Sequence, residues 1–467
     1  MTGSTTTALI MAAGEGTRMR SAVPKVLHPV CGRAMIAWPI LAARGAGVDR
    51  VAVIVSPNRD LGAHLPDDVE TVIQPESDGT GGAVRAAIEI VRESSEVLVL
   101  SGDVPLVSTD VIAELLRAHR GSGASATVMT AILEEPGAYG RVVRDADGTV
   151  EKIVEAKAAG DATEEELLIK EINSGTYVFE GESLATALGE IGSENAQGEY
   201  YLPDVLSVMR GRSERVSAHI AEDTAVNLGI NNRVDLATVE AEARQRILRR
   251  HMLAGVTIVD PASTWIDADV SIGEDARIEP GTSLRGATEI GPDTVIGPHT
   301  TIIDSGIGAG SQVINSHLVL CEVMDNCSVG PFAYLRPGAT LHDGSKAGTF
   351  VEIKNSTVGA GAKVPHLSYV GDADIGEGAN LGAGTITANY DGVRKHRTVV
   401  GPGARVGVDT MLVAPVEIGE GAYTGAGAVI RDNVPPRSLA VSSGDQRTIE
   451  EYAERRQARE AEQEPDS

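Results

Sequence analysis

A six-residue period in the second half of the chain restricts the possible fold more than any other feature. Neither an α-helix nor an alternating β-strand has this period. It is typical of a parallel β-helix, in which each short strand points one aliphatic residue into a narrow prism. The positions that carry the period are Ile272, Ile278, Leu284, Ile290, Ile296 and Ile302, and later Val400, Val406, Leu412, Ile418, Thr424 and Ile430.

Small residues support this interpretation, because a tight corner of the prism has no room for a large side chain. They lie four positions after many of the apolar residues, as at Ala276, Thr282, Thr288, Thr294, Thr300, Ala404, Thr410, Ala422 and Ala428. The 53 glycines and the 3% aromatic content agree with such a fold. Three hexapeptides per coil over residues 254–442 predict about ten coils, stacked about 4.8 Å apart. Cys321 and Cys327 fall on small-residue positions, so we expect them to be buried and structural rather than metal ligands.

The first half of the chain has a different pattern, in which short apolar runs alternate with helical periodicity. This alternation is typical of an α/β domain with a mostly parallel sheet. The predicted strands are Leu9–Ala13, Val51–Val55, Val97–Leu100, Ala126–Ala131 and Tyr177–Phe179. We therefore predict an α/β domain at residues 1–235, a linker helix at 236–253, a β-helix at 254–442, and a C-terminal helix and tail at 443–467.

Charge and cysteine content narrow the class of protein. The net charge of −26 predicts a surface that repels nucleic acid and anionic membranes, so we expect neither as a partner. Three cysteines cannot form a disulfide framework and suit a reducing compartment. The N-terminus lacks the charge and length of a signal peptide, and no apolar run approaches the roughly 18 residues that span a bilayer. We therefore expect a cytoplasmic protein.

A glycine-rich loop follows the first predicted strand, at the edge where such a sheet binds its ligands. Backbone N–H groups of this loop can contact phosphates, and Arg18 and Lys25 add positive charge. The loop lacks GK[ST] and a third glycine, so it is neither a P-loop nor a dinucleotide fingerprint. Asp103 follows the third predicted strand and suits Mg²⁺, which prefers oxygen ligands. Taken alone, these features also fit a structural turn or a helix N-cap.

Several motifs, taken in order, resemble one bacterial family. The family comprises the bifunctional N-acetylglucosamine-1-phosphate uridylyltransferase/glucosamine-1-phosphate N-acetyltransferases, and the resemblance covers almost the whole chain. It implies a Rossmann-like nucleotidyltransferase domain followed by a left-handed β-helix. The motifs are AAGEGTRM with PKVL, Gln74 with Gly79-Thr80, GDVPL, Tyr139-Gly-Arg141, Ile153-Val-Glu155, Glu171-Ile-Asn173, Gln197-Gly-Glu-Tyr-Tyr-Leu and Gly229-Ile-Asn231.

For the first half, the resemblance implies uridylyl transfer from UTP to N-acetylglucosamine 1-phosphate, with release of pyrophosphate. Mg²⁺ is the implied cofactor, with Asp103 and Asn231 as its ligands, while Arg18 and Lys25 neutralise phosphate charge. The implied contacts of UTP and the sugar nucleotide are Met11, Ala12, Ala13, Gly14, Lys25, Gln74, Gly79, Thr80, Ser101, Gly102 and Asp103, with Gly140, Glu155, Asn173 and Asn231. Of these, Gly140, Glu155 and Asn173 would hold the N-acetylglucosamine group.

Polar and bulky residues interrupt the repeat between Gly330 and Asp391. Such residues reduce packing in a narrow prism, so they indicate a site rather than a scaffold. His366 is the natural general base, since an imidazole titrates near neutral pH. The segments GTFVEIK, HLSYVGD, NLGAGT and TANYDG resemble the acetyltransferase half of the same family.

For this half, the resemblance implies acetyl transfer from acetyl-CoA to glucosamine 1-phosphate, with His366 as base and Glu352 orienting it. The implied contacts of the sugar phosphate are Arg336, Lys354, Tyr369, Asn380 and Asn389. The implied coenzyme path is Ala383, Asn389, Tyr390, Val408 and Ala426. The resemblance also implies a homotrimer, with the coenzyme between neighbouring prisms, and a product that feeds peptidoglycan synthesis.

The sequence departs from the usual family pattern at three positions. Gly82 replaces a more usual His, and we expect this change to be tolerated because backbone contacts dominate there. Val408 and Ser443 stand where family members often carry Ser and Arg, so coenzyme contacts change there.

Two other functions fit parts of the sequence. A monofunctional sugar-nucleotide pyrophosphorylase would use the β-helix for assembly and regulation only, and Lys354 and His366 count against it. A regulatory subunit without activity would keep both folds for binding, and Arg18, Lys25 and Asp103 count against that.

Overall fold

The fold was obtained as a computed structural model that describes residues 5–58, 61–156, 162–194, 198–442 and 448–463. The chain divides into two compact units, Met1–Arg249 and Arg250–Ser467. Within the described residues, no helix is both long enough and apolar enough to cross a membrane.

The first unit contains a twisted sheet with a parallel centre. The strand Thr6–Met11 lies between Arg50–Val55 and Glu96–Ser101 and is parallel to both. In spatial order the strands of the sheet are Val216–Ile220, Ala126–Ile132, Glu171–Glu180, Glu96–Ser101, Thr6–Met11, Arg50–Val55 and Glu70–Ile73. The hairpin of Arg141–Arg144 and Val150–Val154 pairs with Glu171–Glu180, and Pro29–Val30 pairs with Arg33–Ala34 in a separate ribbon.

Helices cover both faces of this sheet. The central strands are buried on both faces, with Ile10 in one apolar cluster and its neighbour Leu9 in the other. This explains why the strands appear in the sequence as continuous apolar runs. The α-helices of this unit are Ala37–Gly45, Thr80–Ala86, Ile88–Glu93, Thr109–Ser122, Glu164–Leu167, Gly181–Glu190 and Asp204–Gly211, and Arg233–Leu253 follows them. Short 3₁₀ helices are Thr17–Met19, Lys25–Leu27, Gly62–His64 and Thr224–Asn227.

The helix predicted at residues 236–253 begins earlier, at Arg233. The Asn232 side chain caps it, because its Oδ1 accepts from the backbone N–H groups of Val234 at 2.8 Å and Asp235 at 3.1 Å. Apolar periodicity alone does not detect such a cap. The first predicted strand also ends early, at Met11, since Ala12 and Ala13 already belong to the loop.

The second unit is the left-handed parallel β-helix that the hexapeptide period predicts. Three parallel sheets of 11, 10 and 9 strands form its faces. The first sheet holds Thr257–Ile258, Arg277–Ile278, Val295–Ile296, Gln312–Val313, Ser328–Val329, Lys346–Thr349, Lys363–His366, Asn380–Leu381, Arg405–Val406, Tyr423–Thr424 and Leu439–Ala440. The second holds Trp265–Ile266, Ser283–Arg285, Thr301–Ile303, His317–Val319, Tyr334–Leu335, Glu352–Lys354, Tyr369–Gly371, Ile386–Ala388, Met411–Val413 and Val429–Ile430. The third holds Ser271–Ile272, Glu289–Ile290, Gly306–Ile307, Glu322–Val323, Thr340–Leu341, Thr357–Val358, Ala373–Ile375, Thr398–Val400 and Val416–Ile418.

The small residues lie buried at the corners, as predicted. Thr288 has no exposed surface, and its hydroxyl donates to the Arg285 carbonyl at 2.7 Å, which satisfies a polar group inside the prism. Cys321 and Cys327 are each 2% exposed and unpaired, so their predicted burial is confirmed. Burial raises the pKa of the Cys321 thiol to about 11, which keeps it protonated at neutral pH. In the C-terminal segment, the described helix is Tyr452–Gln463.

Candidate active sites

The glycine-rich loop of the first unit lies at the carboxyl edge of the sheet, beside the end of strand Glu96–Ser101. Met11 is the register partner of Ser101, and the N–H of Gly102 donates to the Met11 carbonyl at 2.9 Å. A Cβ atom at Gly102 would lie 2.9 Å from Ile36 Cδ1 and 3.0 Å from the Met11 carbonyl oxygen, so glycine favours this close approach. The structure thus brings together the two nucleotide-binding segments predicted at Met11–Gly14 and Ser101–Gly102.

Charged and amide groups from distant parts of the sequence converge at the same edge. Lys25 Nζ lies 2.5 Å from Asp103 Oδ2 and 3.3 Å from Asn231 Oδ1. Arg18 Nη2 donates to Asn231 Oδ1 at 3.0 Å, and Ser101 Oγ donates to Asp103 Oδ1 at 2.8 Å. The four predicted residues Arg18, Lys25, Asp103 and Asn231 therefore form one hydrogen-bonded cluster.

Backbone contacts hold Asn231 in this cluster. The N–H of Ile230 donates to the Asp103 carbonyl at 2.9 Å, which joins the segment of Asn231 to the strand end. Asp235 Oδ2 accepts from the Asn231 N–H at 2.8 Å, at the start of the helix Arg233–Leu253. These contacts fix the segment before the helix while leaving the Asn231 side chain directed at Lys25 and Arg18.

Gln74 organises a second loop of the nucleotide site. Its side chain is 6% exposed, and Nε2 donates to Asp78 Oδ1 at 2.8 Å and to the Gly79 carbonyl at 3.2 Å. The backbone of Tyr200 pairs with this loop, since its N–H donates to the Asp78 carbonyl and its carbonyl accepts from Gly81 N–H, both at 2.7 Å. Thr80 Oγ1 accepts from the N–H of Leu202 at 3.0 Å.

Two glycines leave room for close contacts in and beside this loop. Gly79 has a φ of +102°, and a Cβ there would lie 2.5 Å from the Tyr200 carbonyl oxygen. A Cβ at Gly82 would lie 1.8 Å from Asp78 Oδ1, so the missing side chain leaves room for this carboxylate. Asp78 was not among the predicted site residues, although it lies between Gln74 and Gly79 in the sequence. Gln197, from the motif that supplies Tyr200, lies outside the described residues.

The predicted sugar-binding residues lie around a β-bulge in strand Glu171–Glu180. The register of this strand shifts between Asn173 and Tyr177, and Asn173 Nδ2 donates to the Tyr177 hydroxyl at 2.7 Å. The N–H of Asn173 donates to the Gly140 carbonyl at 2.9 Å. Burial raises the pKa of Tyr177, and the negative charge of Glu155 adds to this effect. Gly140, Glu155 and Asn173 thus share one region, to which the structure adds Tyr177.

On the second sheet of the β-helix, outward residues of successive coils form a column. Glu352 is the register partner of Tyr334 on one side and of Tyr369 on the other. Arg336 Nη1 lies 2.8 Å from Glu352 Oε1, and its guanidinium lies 5.9 Å from the centre of the Tyr334 ring. The column therefore presents Arg336, Glu352 and Tyr369 side by side.

His366 ends a strand of the first sheet and is exposed. Its backbone carbonyl accepts from Ser368 Oγ at 2.7 Å and from the Gly384 N–H at 3.2 Å. Within the described residues its imidazole has no hydrogen-bond partner, and Glu352 contacts Arg336 instead. The orienting role of Glu352 toward His366 therefore stays a prediction. Asn380 lies on the next strand of this sheet, as the register partner of Lys363.

Asp372 ends the HLSYVGD segment and interacts with the predicted residues Asn389 and Lys354, although it was not itself predicted as a site residue. Its side chain accepts from Asn355 Nδ2 at 2.6 Å and from Asn389 Nδ2 at 2.5 Å, and the residue is 8% exposed. Burial alone would raise the pKa of Asp372. The two amide hydrogen bonds and the positive charges of Lys354 and Lys395 outweigh burial and lower it.

Lys395 was also missed, and it lies beside Lys354. Contact with the ammonium group of Lys354 lowers the pKa of Lys395. Two neighbouring cations form a local positive site that favours an anion. Lys395 belongs to an insertion in the repeat, because the register partners Ile386 and Met411 are 25 residues apart, whereas Tyr369 and Ile386 are 17 apart. This interruption of the period was the signal that could have identified it.

Three of the predicted coenzyme residues, Ala383, Val408 and Ala426, form a row at one corner of the prism, whereas Asn389 and Tyr390 lie in the insertion. The Asp409 N–H donates to the Ala383 carbonyl at 2.7 Å, and the Gly427 N–H, next to Ala426, donates to the Val408 carbonyl at 2.8 Å. Val408 is 49% exposed. Since the Gly384 N–H bonds to His366, the row begins at the predicted base. Ser443 lies outside the described residues.

Comparison with known proteins relates both halves to characterised families. A model of the MobA-like NTP transferase domain matches residues 8–167, and one of the bacterial transferase hexapeptide, with six repeats, matches residues 269–304. The chain is 48% identical to the Bifunctional protein GlmU of Streptomyces avermitilis over 96% of this chain and 94% of that protein. It is 47% identical to the protein of that name from Mycolicibacterium gilvum, over 96% and 91%. It is 46% identical to the one from Mycobacterium tuberculosis, over 97% and 92%.

Proposed function

Since the chain belongs to the family of bifunctional GlmU proteins, we propose that it makes UDP-N-acetylglucosamine in two steps. The first step transfers an acetyl group from acetyl-CoA to glucosamine 1-phosphate. The second transfers the uridylyl group of UTP to N-acetylglucosamine 1-phosphate and releases pyrophosphate. The observation that carries the proposal is the convergence of Arg18, Lys25, Asp103 and Asn231 at the carboxyl edge of the sheet.

In uridylyl transfer, the main task of these residues is positioning and charge neutralisation. The sugar phosphate attacks the α-phosphorus of UTP, and the bond to pyrophosphate breaks. Lys25 and Arg18 offset the charge that builds up on the phosphates. The loop at Met11–Gly14 and the Gln74 loop hold the nucleotide, while Gly140, Glu155 and Asn173 hold the N-acetylglucosamine group.

The donor set at the strand end fits Mg²⁺. Asp103 and Asn231 both direct oxygen atoms at the ammonium group of Lys25. These oxygens therefore already bind a cationic group. Mg²⁺ commonly takes one or two protein ligands and completes its shell with water and phosphate. When bound, Mg²⁺ would polarise the phosphate oxygens.

In acetyl transfer, His366 takes a proton from the ammonium group of glucosamine 1-phosphate. The freed amine attacks the thioester carbonyl of acetyl-CoA, the amide bond forms, and the thiol of coenzyme A leaves. Arg336, Lys354 and Lys395 hold the sugar phosphate, because their three positive charges lie around the column of Glu352 and Tyr369. Tyr369, Asn380 and Asn389 position the sugar, and Ala383, Tyr390, Val408 and Ala426 line the coenzyme path.

We further propose a cytoplasmic homotrimer in which neighbouring prisms enclose the coenzyme. The hexapeptide fold supports assembly through its flat faces. The monofunctional alternative has little support, because the bifunctional relatives match the chain over both halves. The regulatory alternative fails to explain the ordered cation cluster at Lys25.

A paired assay tests the proposed function. Purified protein with glucosamine 1-phosphate and acetyl-CoA should release free thiol, and with UTP, Mg²⁺ and N-acetylglucosamine 1-phosphate it should release pyrophosphate. Release of thiol without pyrophosphate, or of pyrophosphate without thiol, would show that the protein has one of the two activities and lacks the other. If a folded sample releases neither thiol nor pyrophosphate, the proposal is contradicted.

One prediction concerns Gly82, which was expected to be tolerated in place of His. We expect Gly82→Ala to raise the KM for UTP roughly 10-fold, because the new Cβ displaces the Asp78 carboxylate and breaks its bond to Gln74. Steady-state pyrophosphate release at varied UTP measures this. Gly189→Ala is the matched control, since Gly189 lies in a helix and its Cβ would have open space. Equal KM values for both variants would show that the Asp78 contact is dispensable.

A further inference from the structure

The insertion that carries Lys395 is a closed hairpin at residues 389–397. Tyr390 and Lys395 form an antiparallel bridge across it. The N–H of His396 donates to the Asn389 carbonyl at 2.8 Å, and the N–H of Asp391 donates to the Arg394 carbonyl at 3.1 Å. The two arms of the hairpin thus hold Asn389 and Tyr390 on one side and Lys395 on the other.

The carboxylate of Asp391 is the centre of this hairpin. Its Oδ1 accepts from the backbone N–H groups of Val393 at 2.7 Å and Arg394 at 2.6 Å. Its Oδ2 accepts from Nε2 of His396 at 2.7 Å. Hydrogen bonds from Arg394, His396 and Val393 lower the pKa of Asp391 to about 2, so it is ionised under all ordinary conditions. Both oxygens are therefore occupied within the hairpin, and His396 is the group that joins Asp391 to the returning arm.

The base of the hairpin is attached to the prism independently. Asn389 donates to Asp372, and the guanidinium of Arg397 pairs with Asp374. These anchors fix where the hairpin starts and ends. The returning arm at Lys395 is joined to the outgoing arm by the bridge to Tyr390 and by the contact between the His396 and Asp391 side chains, and its ammonium group lies against the like charge of Lys354.

We propose that the contact between Asp391 and His396 is a latch that closes the hairpin and holds Lys395 beside Lys354 to receive the phosphate of glucosamine 1-phosphate. The inference rests on the acetyl transfer proposed above. Asp391 and His396 are positioning residues, because they act through Lys395.

Electrostatics gives the reason for a latch. Two ammonium groups repel each other. The nearby carboxylate of Asp372 offsets part of this repulsion, but the pKa of Lys395 is still lowered, so the effect of Lys354 prevails before the substrate binds. A flexible hairpin would let Lys395 move into solvent, and each substrate molecule would then have to order it again. A hairpin that is already closed in the free protein keeps Lys395 ordered before the substrate binds. The pair itself is half-exposed and contributes little to overall stability, so its effect is on the position of Lys395.

The test is the kinetics of acetyl transfer in the full-length His396→Leu protein. We expect its KM for glucosamine 1-phosphate to rise roughly 5- to 10-fold with a smaller change in kcat. His396→Gln keeps an N–H donor within reach of Asp391 and should recover most of the loss. His342→Leu, at an exposed histidine of the same prism, is the matched control and should behave as wild type. Pyrophosphate release in the other reaction should be unchanged in all three.

The Lys395→Met background separates failure of the latch from failure of the proposed site. If Lys395 binds the phosphate through the latch, Lys395→Met raises the KM, and adding His396→Leu raises it little further. A raised KM in Lys395→Met with a normal KM in His396→Leu would overturn the latch alone. A normal KM in Lys395→Met would overturn the phosphate role of Lys395, and the latch with it. If the effects of Lys395→Met and His396→Leu on the KM simply add in the double variant, the latch is also rejected.

Discussion

Replacing His366 with alanine should lower acetyl transfer by roughly 10²- to 10⁴-fold, the range found for loss of a general base. The ammonium group of glucosamine 1-phosphate must lose a proton before its nitrogen can attack the thioester. The imidazole is exposed at the end of a strand, beside the row of residues proposed for the coenzyme path. Free thiol release with acetyl-CoA measures the effect.

The same variant should keep full uridylyl transfer, because His366 and the Lys25 cluster belong to different compact units. His342→Ala is a suitable control for loss of an exposed histidine from the β-helix. Retention of acetyl transfer in His366→Ala would exclude the imidazole as the base. Loss of both activities in a folded protein would contradict the separation of the two sites.

The sequence predicted the β-helix well because the determinant is local and repeated. Each coil requires one inward aliphatic residue and one small corner residue, so positions such as Ile296 and Thr300 show the fold directly in the sequence. The strands of the first unit were also recognisable, since burial on both faces makes them continuous apolar runs. Their ends were less accurate, because the cap formed by Asn232 leaves no mark in the apolar pattern.

The site residues were predicted mainly by resemblance, and the structure supplies what the motifs omit. Asp372 and Lys395 interact through side chains that are close in space but far apart in sequence, so the HLSYVGD segment and the interrupted period mark their surroundings without showing this contact. The role of Asp78 depends on the space left by Gly82, which is a property of packing. Conversely, Glu352 pairs with Arg336 because the register between coils brings them together. The resemblance had implied that Glu352 orients His366.

Replacing Asp103 with asparagine should have the complementary effect. We expect uridylyl transfer to fall roughly 10²- to 10⁴-fold while acetyl transfer is unchanged. Asparagine keeps the size of the side chain but removes the charge that pairs with Lys25 at 2.5 Å, and its amide is a weaker ligand for Mg²⁺. Pyrophosphate release is the measurement, and Asp110→Asn, at an exposed helix position, is the control for loss of one carboxylate.

Titration with Mg²⁺ then separates the two roles that Asp103 can have. If Asp103 is a metal ligand, the variant should need a higher Mg²⁺ concentration for half-maximal rate, and excess Mg²⁺ should restore part of the activity. If Asp103 acts only by orienting Lys25, the rate should fall while the Mg²⁺ dependence stays that of the wild type. Full activity at the wild-type Mg²⁺ requirement would exclude both roles. In that case Lys25 and Arg18 would neutralise the phosphates without this carboxylate. Both donate to Asn231 Oδ1, so Asn231 would hold them in place.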